Sequence, residues 1–414
     1  MLIELFGRRN NFMKIIFTFI SYPDEKHSNL YSDIVRKFSE EGHEVSVVTV
    51  KETGETSCLS ENGISILRVK TGPLFNVNFI VKGITTLSLP FLFKRQIKKH
   101  FKDKTFDLCV YPTPPITFAG LVKWIKKKYN CNTYLILRDI FPQNAVDVGI
   151  MKKNIIFKYF RIKERALYKL SDAIGCMSQG NIDYVMKHNQ IEEEKFHLLP
   201  NWKKIDYNID QYSIDSDLLK VIENKFVIIF GGVIGIAQGL DFIIDVAEKL
   251  IPYKEILFLF LGEGNKKQSL IDLIKKRELN NILFYKKIPT NEYKSLVLRS
   301  NVGLISLNKN FSIPNIPSKT LEYFEAKLPI IAVTDVNTDY DKIIEESQGG
   351  LWSENGDIDA CVENILYFYN NSHEAKTMGI NGFEYLKKNL TVDVAYETML
   401  KKSLKNYKEN KLEM

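Results

Sequence analysis

Strand-like apolar runs alternate with helical segments along this 414-residue sequence, and a polar, aperiodic stretch interrupts the alternation near its middle. These two observations predict an α/β protein of two Rossmann-like domains, each a parallel sheet covered by helices on both faces.

The elements follow in order. "KIIFTFI" reads as a buried strand, and over residues 28–41 Leu30, Ile34 and Phe38 recur at helical spacing. "EVSVVTV", introduced by Gly42-His43, is the next strand. Further strands fall at "DLCVYP", "TYLILRD", "DAIGCMS" and "FHLLP". "NWKKIDYNIDQYSID" lacks periodicity and reads as a linker. A second series then supplies "KFVIIFGG", "ILFLFLGEG", "NILFYKK", "VGLISL" and "PIIAVTD". A basic helical stretch at 374–411 ends the chain. The expected divisions are 13–203, 204–375 and a helical segment 376–414 that packs back towards the first domain. "MLIELFGRRNNF" precedes the first strand as an extension, with Met13 an alternative start. In paired domains of this kind the groove beyond the carboxyl ends of the strands is the expected ligand site.

Composition narrows the function. At 45% apolar and 26% charged residues, the chain has the make-up of an ordinary folded protein. Its five cysteines show no CxxC or other ligand spacing, which fits a reducing cytoplasm without disulfides or a zinc site. The net charge of +7 is uneven: residues 1–200 carry 30 Lys+Arg against 20 Asp+Glu, and the remainder 27 against 30. The first half therefore suits an anionic surface. No run approaches the roughly 20 apolar residues of a membrane span.

Two stretches suggest chemistry. In "FVIIFGGVIGIAQGLDFII", Gly231 and Gly232 let a backbone approach a ligand, and the helix start near Gln238-Gly239 offers N–H groups to a phosphate. It matches neither the dinucleotide fingerprint nor a Walker loop, and a plain tight turn is the alternative. Glu263, in the "LGEG" turn, and the edge formed by Lys287 and Ile288 in "FYKKIP" are further candidates for the same ligand. In "FSIPNIPSKTLEYFEAKLPIIAV", Ser318 is a good N-cap residue and Lys319 follows in the first turn, where the helix dipole disfavours a cation. Dipole and lysine sharing an anion would resolve that conflict. Two helix starts and one lysine suit a diphosphate, and Glu322, one turn on, suits paired ribose hydroxyls.

Together "EEGHEVSVVT", "RDIFPQNAVDVG", "LPNW", "GGVIGIAQGL", "FLGEG" and "IPSKTLEYFEAKLPIIA" resemble glycosyltransferase family 4. These are retaining nucleotide-sugar transferases of the GT-B fold. The resemblance is to the branch that builds bacterial surface polysaccharides, including N-acetylfucosamine transferase-like members. It implies a metal-independent hexosyl or N-acetylhexosaminyl transfer, with no cofactor, from a UDP-sugar to a polyprenyl-diphosphate-linked saccharide. Glu322 is similar to the second of two glutamates in the family motif. The first falls on Pro314, and the backbone amides of Asn315 and Ile316 are the expected substitutes. The family's phosphate-binding lysine is Gln238 here, which leaves Lys319 as the expected cation. A glycine usual near Lys327 is also absent. Arg138 and Asp139 occupy the acceptor-side place, with Asp139 expected to orient the acceptor. An Arg–Asp pair that holds the loop is the alternative.

Two other functions stand beside transfer: a nucleotide-sugar 2-epimerase on the same fold, and a non-catalytic partner subunit. Residues 82–128 hold 11 basic residues and two acids. Phe93, Ile97 and Phe101 share a stripe beside Lys94, Lys98 and Lys102, and "LVKWIKKKY" repeats the theme around Trp124. Basic amphipathic helices of this kind bind membrane surfaces, and ordinary domain helices look the same. A cytoplasmic protein, peripheral on the inner face of the membrane, is the expectation. Nucleic acid is not, because no binding module accompanies the charge.

Overall fold

A computed structural model describes residues 12–24, 27–75, 77–206 and 214–412. The N-terminal extension up to Asn11 and residues 207–213 of the expected linker lie outside the described residues. The chain forms two compact units. The first runs through Val146, then takes in Met151–Lys204 and everything from Val392 onward; the second holds Asp147–Ile150 and Ile205–Thr391.

The first unit is built on eight strands: β1 (Lys14–Thr18), β2 (Glu44–Lys51), β3 (Ser57–Glu61), β4 (Ile64–Lys70), β5 (Leu108–Thr113), β6 (Asn132–Leu137), β7 (Ala173–Cys176) and β8 (Phe196–Leu198). Their order is β3-β4-β2-β1-β5-β6-β7-β8, parallel except where β3 meets β4. β5 and β6 are buried at every position, as central strands covered on both faces must be. Asn29 caps the helix Leu30–Glu40 by accepting from the amides of Tyr31 and Ser32. That helix and the chain-terminal helix Val392–Leu412 close one face, where Phe38 packs edge-on against Tyr396 with ring centroids 4.8 Å apart. Helices Phe79–His100, Ala119–Tyr129 and Ile155–Leu170 pack together on one another or on the turn Ile116–Phe118. Pro90 lies inside Phe79–His100 and leaves the Thr86 carbonyl without its usual amide. The Thr117 hydroxyl donates to that carbonyl at 3.2 Å instead.

The second unit holds β9 (Phe226–Gly231), β10 (Ile256–Leu261), β11 (Ile282–Tyr285), β12 (Val302–Ser306), β13 (Ile330–Thr334) and β14 (Gly350–Glu354). All are parallel, in the order β11-β10-β9-β12-β13-β14. Successive side chains of β9 go to opposite faces: Ile228 and Phe230 join one core, Val227 and Ile229 the other.

One expectation needs correction, and one open alternative is decided. The chain returns to the first unit at Val392, not at 376, because the helix Ser372–Asn389 is locked onto the second unit. At Gly379 a Cβ would fall 2.0 Å from the Lys327 carbonyl, and at Gly382 one would fall 2.4 Å from the Phe324 ring, so only glycine permits this approach. The stripe Phe93, Ile97 and Phe101 is core, each residue no more than 1% exposed, and so meets no outside surface.

Candidate active site

β9 ends at Gly231, where the chain must leave the sheet without side chains. A Cβ on Gly231 would lie 2.3 Å from the Tyr293 ring, which fills that space. Gly232 has φ +140°, and its carbonyl lies where a Cβ on Gly262 would come within 1.8 Å. The turns after β9 and β10 therefore fit together as bare backbone. The amide of Gly232 donates to Leu261 O, and that of Ile234 to Glu263 O.

Gln238 is used inside this loop: its Oε1 accepts from the Gly235 amide at 3.1 Å. Its backbone carbonyl accepts from the Ser306 hydroxyl at 2.6 Å. Gly239 follows at φ +58°, and the helix Leu240–Lys249 starts there. The Glu263 carboxylate pairs with Lys267 at 2.7 Å, and Lys267 also donates to Gly262 O. Lys287 is exposed beyond β11, and Ile288 packs on the second core.

The segment before the helix Lys319–Glu325 differs from expectation in two ways. Ser318 holds the N-cap position in helical conformation, with φ −69° and ψ −16°, and its side chain caps no amide. The amide of Asn315 donates to Thr338 Oγ1 at 3.3 Å, so it is engaged within the protein. Thr338 in turn donates to the buried carboxylate of Asp335, which also accepts from the amides of Asn337 and Thr338. Ile316 is buried beside it, 8% exposed. Asp335 was not singled out by sequence, although an acid closing an apolar strand is the available signal.

Lys319 opens this helix beside the end of β9. Its Nζ lies 4.5 Å from the Phe230 ring centroid, and its Cε lies 2.8 Å from where a Cβ on Gly232 would be. No carboxylate comes within ion-pair distance among the described residues. Burial pulls its ammonium down to about 8, opposed only in part by Glu322. Glu322 is half-buried on the same short helix. Gly232, Phe230, Lys319 and Glu322 thus bring a lean backbone, a cation short of partners and a carboxylate together. Tyr323, one residue on, donates to Ile229 O at 3.1 Å and ties the helix to β9.

In the first unit, β6 leads into Arg138 and Asp139. Arg138 is 8% exposed; its Nη1 donates to Leu199 O at 3.0 Å, and its guanidinium lies 4.6 Å from the Trp202 ring centroid. Trp202 donates to Leu30 O at 2.8 Å. The "RDIFP" and "LPNW" stretches therefore interlock through a cation–π contact. Arg138 Nε and Nη2 have no hydrogen-bond partner among the described residues. Asp139 is half-buried; burial raises its carboxyl and Arg138 opposes the rise. Burial pushes Tyr31 up to about 12, and it feels both Arg138 and Asp139.

Comparison with known proteins agrees with this architecture. The family model described as Glycosyltransferase Family 4 matches residues 29–203, and that described as Glycosyl transferases group 1 matches 215–385. The probable glycosyltransferase WbjE of Pseudomonas aeruginosa is 22% identical over 325 residues, 77% of this chain and 79% of that protein. WcaI of Escherichia coli, named as a colanic acid biosynthesis glycosyl transferase, is 23% identical over 300 residues, 70% and 69% of the two chains. Among solved structures, sucrose-phosphate synthase from Thermosynechococcus elongatus aligns with a TM-score of 0.72 at 14% identity, covering 93% of this chain and 97% of that one. HepE of Anabaena, solved with UDP and glucose, aligns at 0.67 and 13%, covering 94% and 98%. With two parallel-sheet units and both halves matched, the chain belongs to the family 4 glycosyltransferases of the GT-B fold.

Proposed function

We propose that the protein is a retaining, metal-independent transferase that moves a hexosyl or N-acetylhexosaminyl group from a UDP-sugar to a polyprenyl-diphosphate-linked saccharide in surface-polysaccharide synthesis. The observation that carries the reading is the Lys319 ammonium, desolvated and beside the bare Gly232 backbone. An incoming diphosphate supplies the charge that burial denies it. Glu322 supports the reading, since a carboxylate accepts from two ribose hydroxyls at once. A relative named for colanic acid biosynthesis, and a neighbour solved with UDP, support this substrate class.

In this reading, the bond between the anomeric carbon and the diphosphate oxygen breaks as an acceptor hydroxyl attacks from the same face. The leaving phosphate takes the acceptor proton, and Lys319 neutralises the charge left on the diphosphate. Asp139 orients the acceptor, and Arg138 positions it through Trp202 and Leu199. Incubation with UDP-sugars and a lipid-linked acceptor, with anomeric configuration read by nuclear magnetic resonance, is the test. Transfer with retention that persists in EDTA is expected. Epimerised free sugar nucleotide, no turnover, or loss of activity in EDTA with rescue by magnesium would overturn it.

A further inference from the structure

The first unit carries an apolar face that the packing leaves open. On the helix Phe79–His100, Ile84, Leu87 and Phe91 are 66%, 50% and 69% exposed, opposite the buried Leu89, Phe93 and Ile97. On the helix Ile155–Leu170, Ile155, Tyr159 and Ile162 are 82%, 42% and 66% exposed. Each set follows the helical repeat. On each helix the same outward stripe then turns cationic, with Arg95 and Lys98 on the first and Arg165 and Lys169 on the second, all exposed. The sequence has no acid between Glu61 and Asp103, and none between Asp147 and Glu164.

Both helices pack on the turn Ile116–Phe118, and their apolar halves lie at one end of the sheet. Thr117, just past β5, donates to Thr86 O on the first helix. Phe141, just past β6, meets Phe160 on the second with ring centroids 5.1 Å apart. That end of the sheet is also the one from which Arg138 and Asp139 emerge.

We propose that this face docks on an anionic lipid bilayer, with Ile84, Leu87, Phe91, Ile155, Tyr159 and Ile162 entering the interface and the cations behind them meeting headgroups. An apolar stripe followed by cations, with no acid along it, matches a surface that is apolar inside and negative outside. A second copy of the chain would set cation against cation. The inference rests on the lipid-linked acceptor proposed above. A bilayer at this end of the sheet would deliver such an acceptor to the strand ends around Asp139.

The test is co-sedimentation of the full chain with vesicles of phosphatidylcholine, with and without phosphatidylglycerol, in low and high salt. Wild type should bind the anionic vesicles, and binding should weaken in salt. The variant Leu87→Ser, Phe91→Ser, Ile155→Ser, Ile162→Ser should bind about tenfold or more weakly while its UDP titration and circular dichroism stay unchanged. The variant Arg95→Glu, Lys98→Glu should lose the salt-dependent part. Undiminished vesicle binding by the serine variant would overturn the proposal. So would a wild-type dimer that this variant dissolves in the absence of vesicle binding. Transfer to a soluble acceptor is read separately, so failure of the docking face and failure of the transferase reading are distinguishable.

Discussion

The Lys319 ammonium stands 4.5 Å from the centre of the Phe230 ring, the aromatic that closes β9 one residue before Gly231. An aromatic face holds a cation more weakly than a carboxylate would, so the charge stays available to a ligand.

The first prediction concerns that charge. Lys319→Ala should lose on the order of 2–4 kcal/mol of transition-state stabilisation while the protein still folds. The protonated form is the one that binds a diphosphate, and in the free protein it titrates at about 8. UDP affinity should therefore be full below about pH 8 and fall as pH rises through it. Lys319→Arg keeps its proton throughout, so its affinity should be flat over the same range. Calorimetric titration of UDP from pH 6.5 to 9.5 reads both. A flat profile in wild type would remove Lys319 from the diphosphate.

Gly232 and Gly262 should respond differently to alanine. At Gly262 the new methyl meets a carbonyl oxygen at 1.8 Å, and backbone cannot step aside. Gly262→Ala should cost several kcal/mol of stability, combining overpacking with a positive φ. At Gly232 the methyl meets the flexible Cε of Lys319 at 2.8 Å. Gly232→Ala should cost about 1–2 kcal/mol of stability and displace the lysine, so donor binding falls further than the melting temperature implies. Thermal melts paired with UDP titrations decide whether the two positions separate in this way.

If Glu322 accepts from the ribose, Glu322→Gln removes a charge-assisted bond of roughly 1.5–3 kcal/mol. UDP affinity should drop about tenfold or more, 1.4 kcal/mol being a factor of ten. 2′-Deoxy-UDP should bind wild type poorly and lose little further in the variant. Equal losses for the two nucleotides would return Glu322 to a purely structural place on its helix.

Lys327 adopts φ +54°, a left-handed conformation where a side chain is strained. Lys327→Gly should relieve about 1 kcal/mol of that strain. Lys327→Ala keeps the strain and loses the contact of the lysine Nζ with Phe383 at 5.0 Å, so it should be the less stable of the two. Urea unfolding of both variants compares them directly.

How far sequence reading reached depended on whether a signal was local. Stretches such as "KIIFTFI" and "ILFLFL" are dominated by apolar residues, and they hold β1 and β10. β3 and β4 were not expected, although Asn62-Gly63 between them, both at positive φ, is a hairpin turn signal. β14 is short and half-exposed in part, with little to distinguish it from loop. Site residues followed the same rule. Lys319 stood out as a candidate because a cation in the first helical turn needs a reason. The engagement of Asn315 by Thr338, and of Arg138 by Leu199 and Trp202, joins segments 23 and 61 or more residues apart, and no local pattern encodes it. Whether Phe93, Ile97 and Phe101 faced a membrane or the core was left open for a related reason. Periodicity finds both faces of a helix, but only packing says which one is covered.

The helix Val392–Leu412 is the last described element to be synthesised, yet Tyr396 and Met399 complete the core around Phe38. The Met13 amide donates to His43 Nδ1, so the ring's other nitrogen carries the proton and donates to the Tyr396 hydroxyl at 3.0 Å. The residue just ahead of β1 is thereby joined to the last described helix. Although domains tend to finish folding in order of synthesis, here the earlier unit must wait, partly open, until the entire later unit has been translated. Synthesis of the stretch around Tyr396 and Met399, and not completion of residue 204, is the event that closes it.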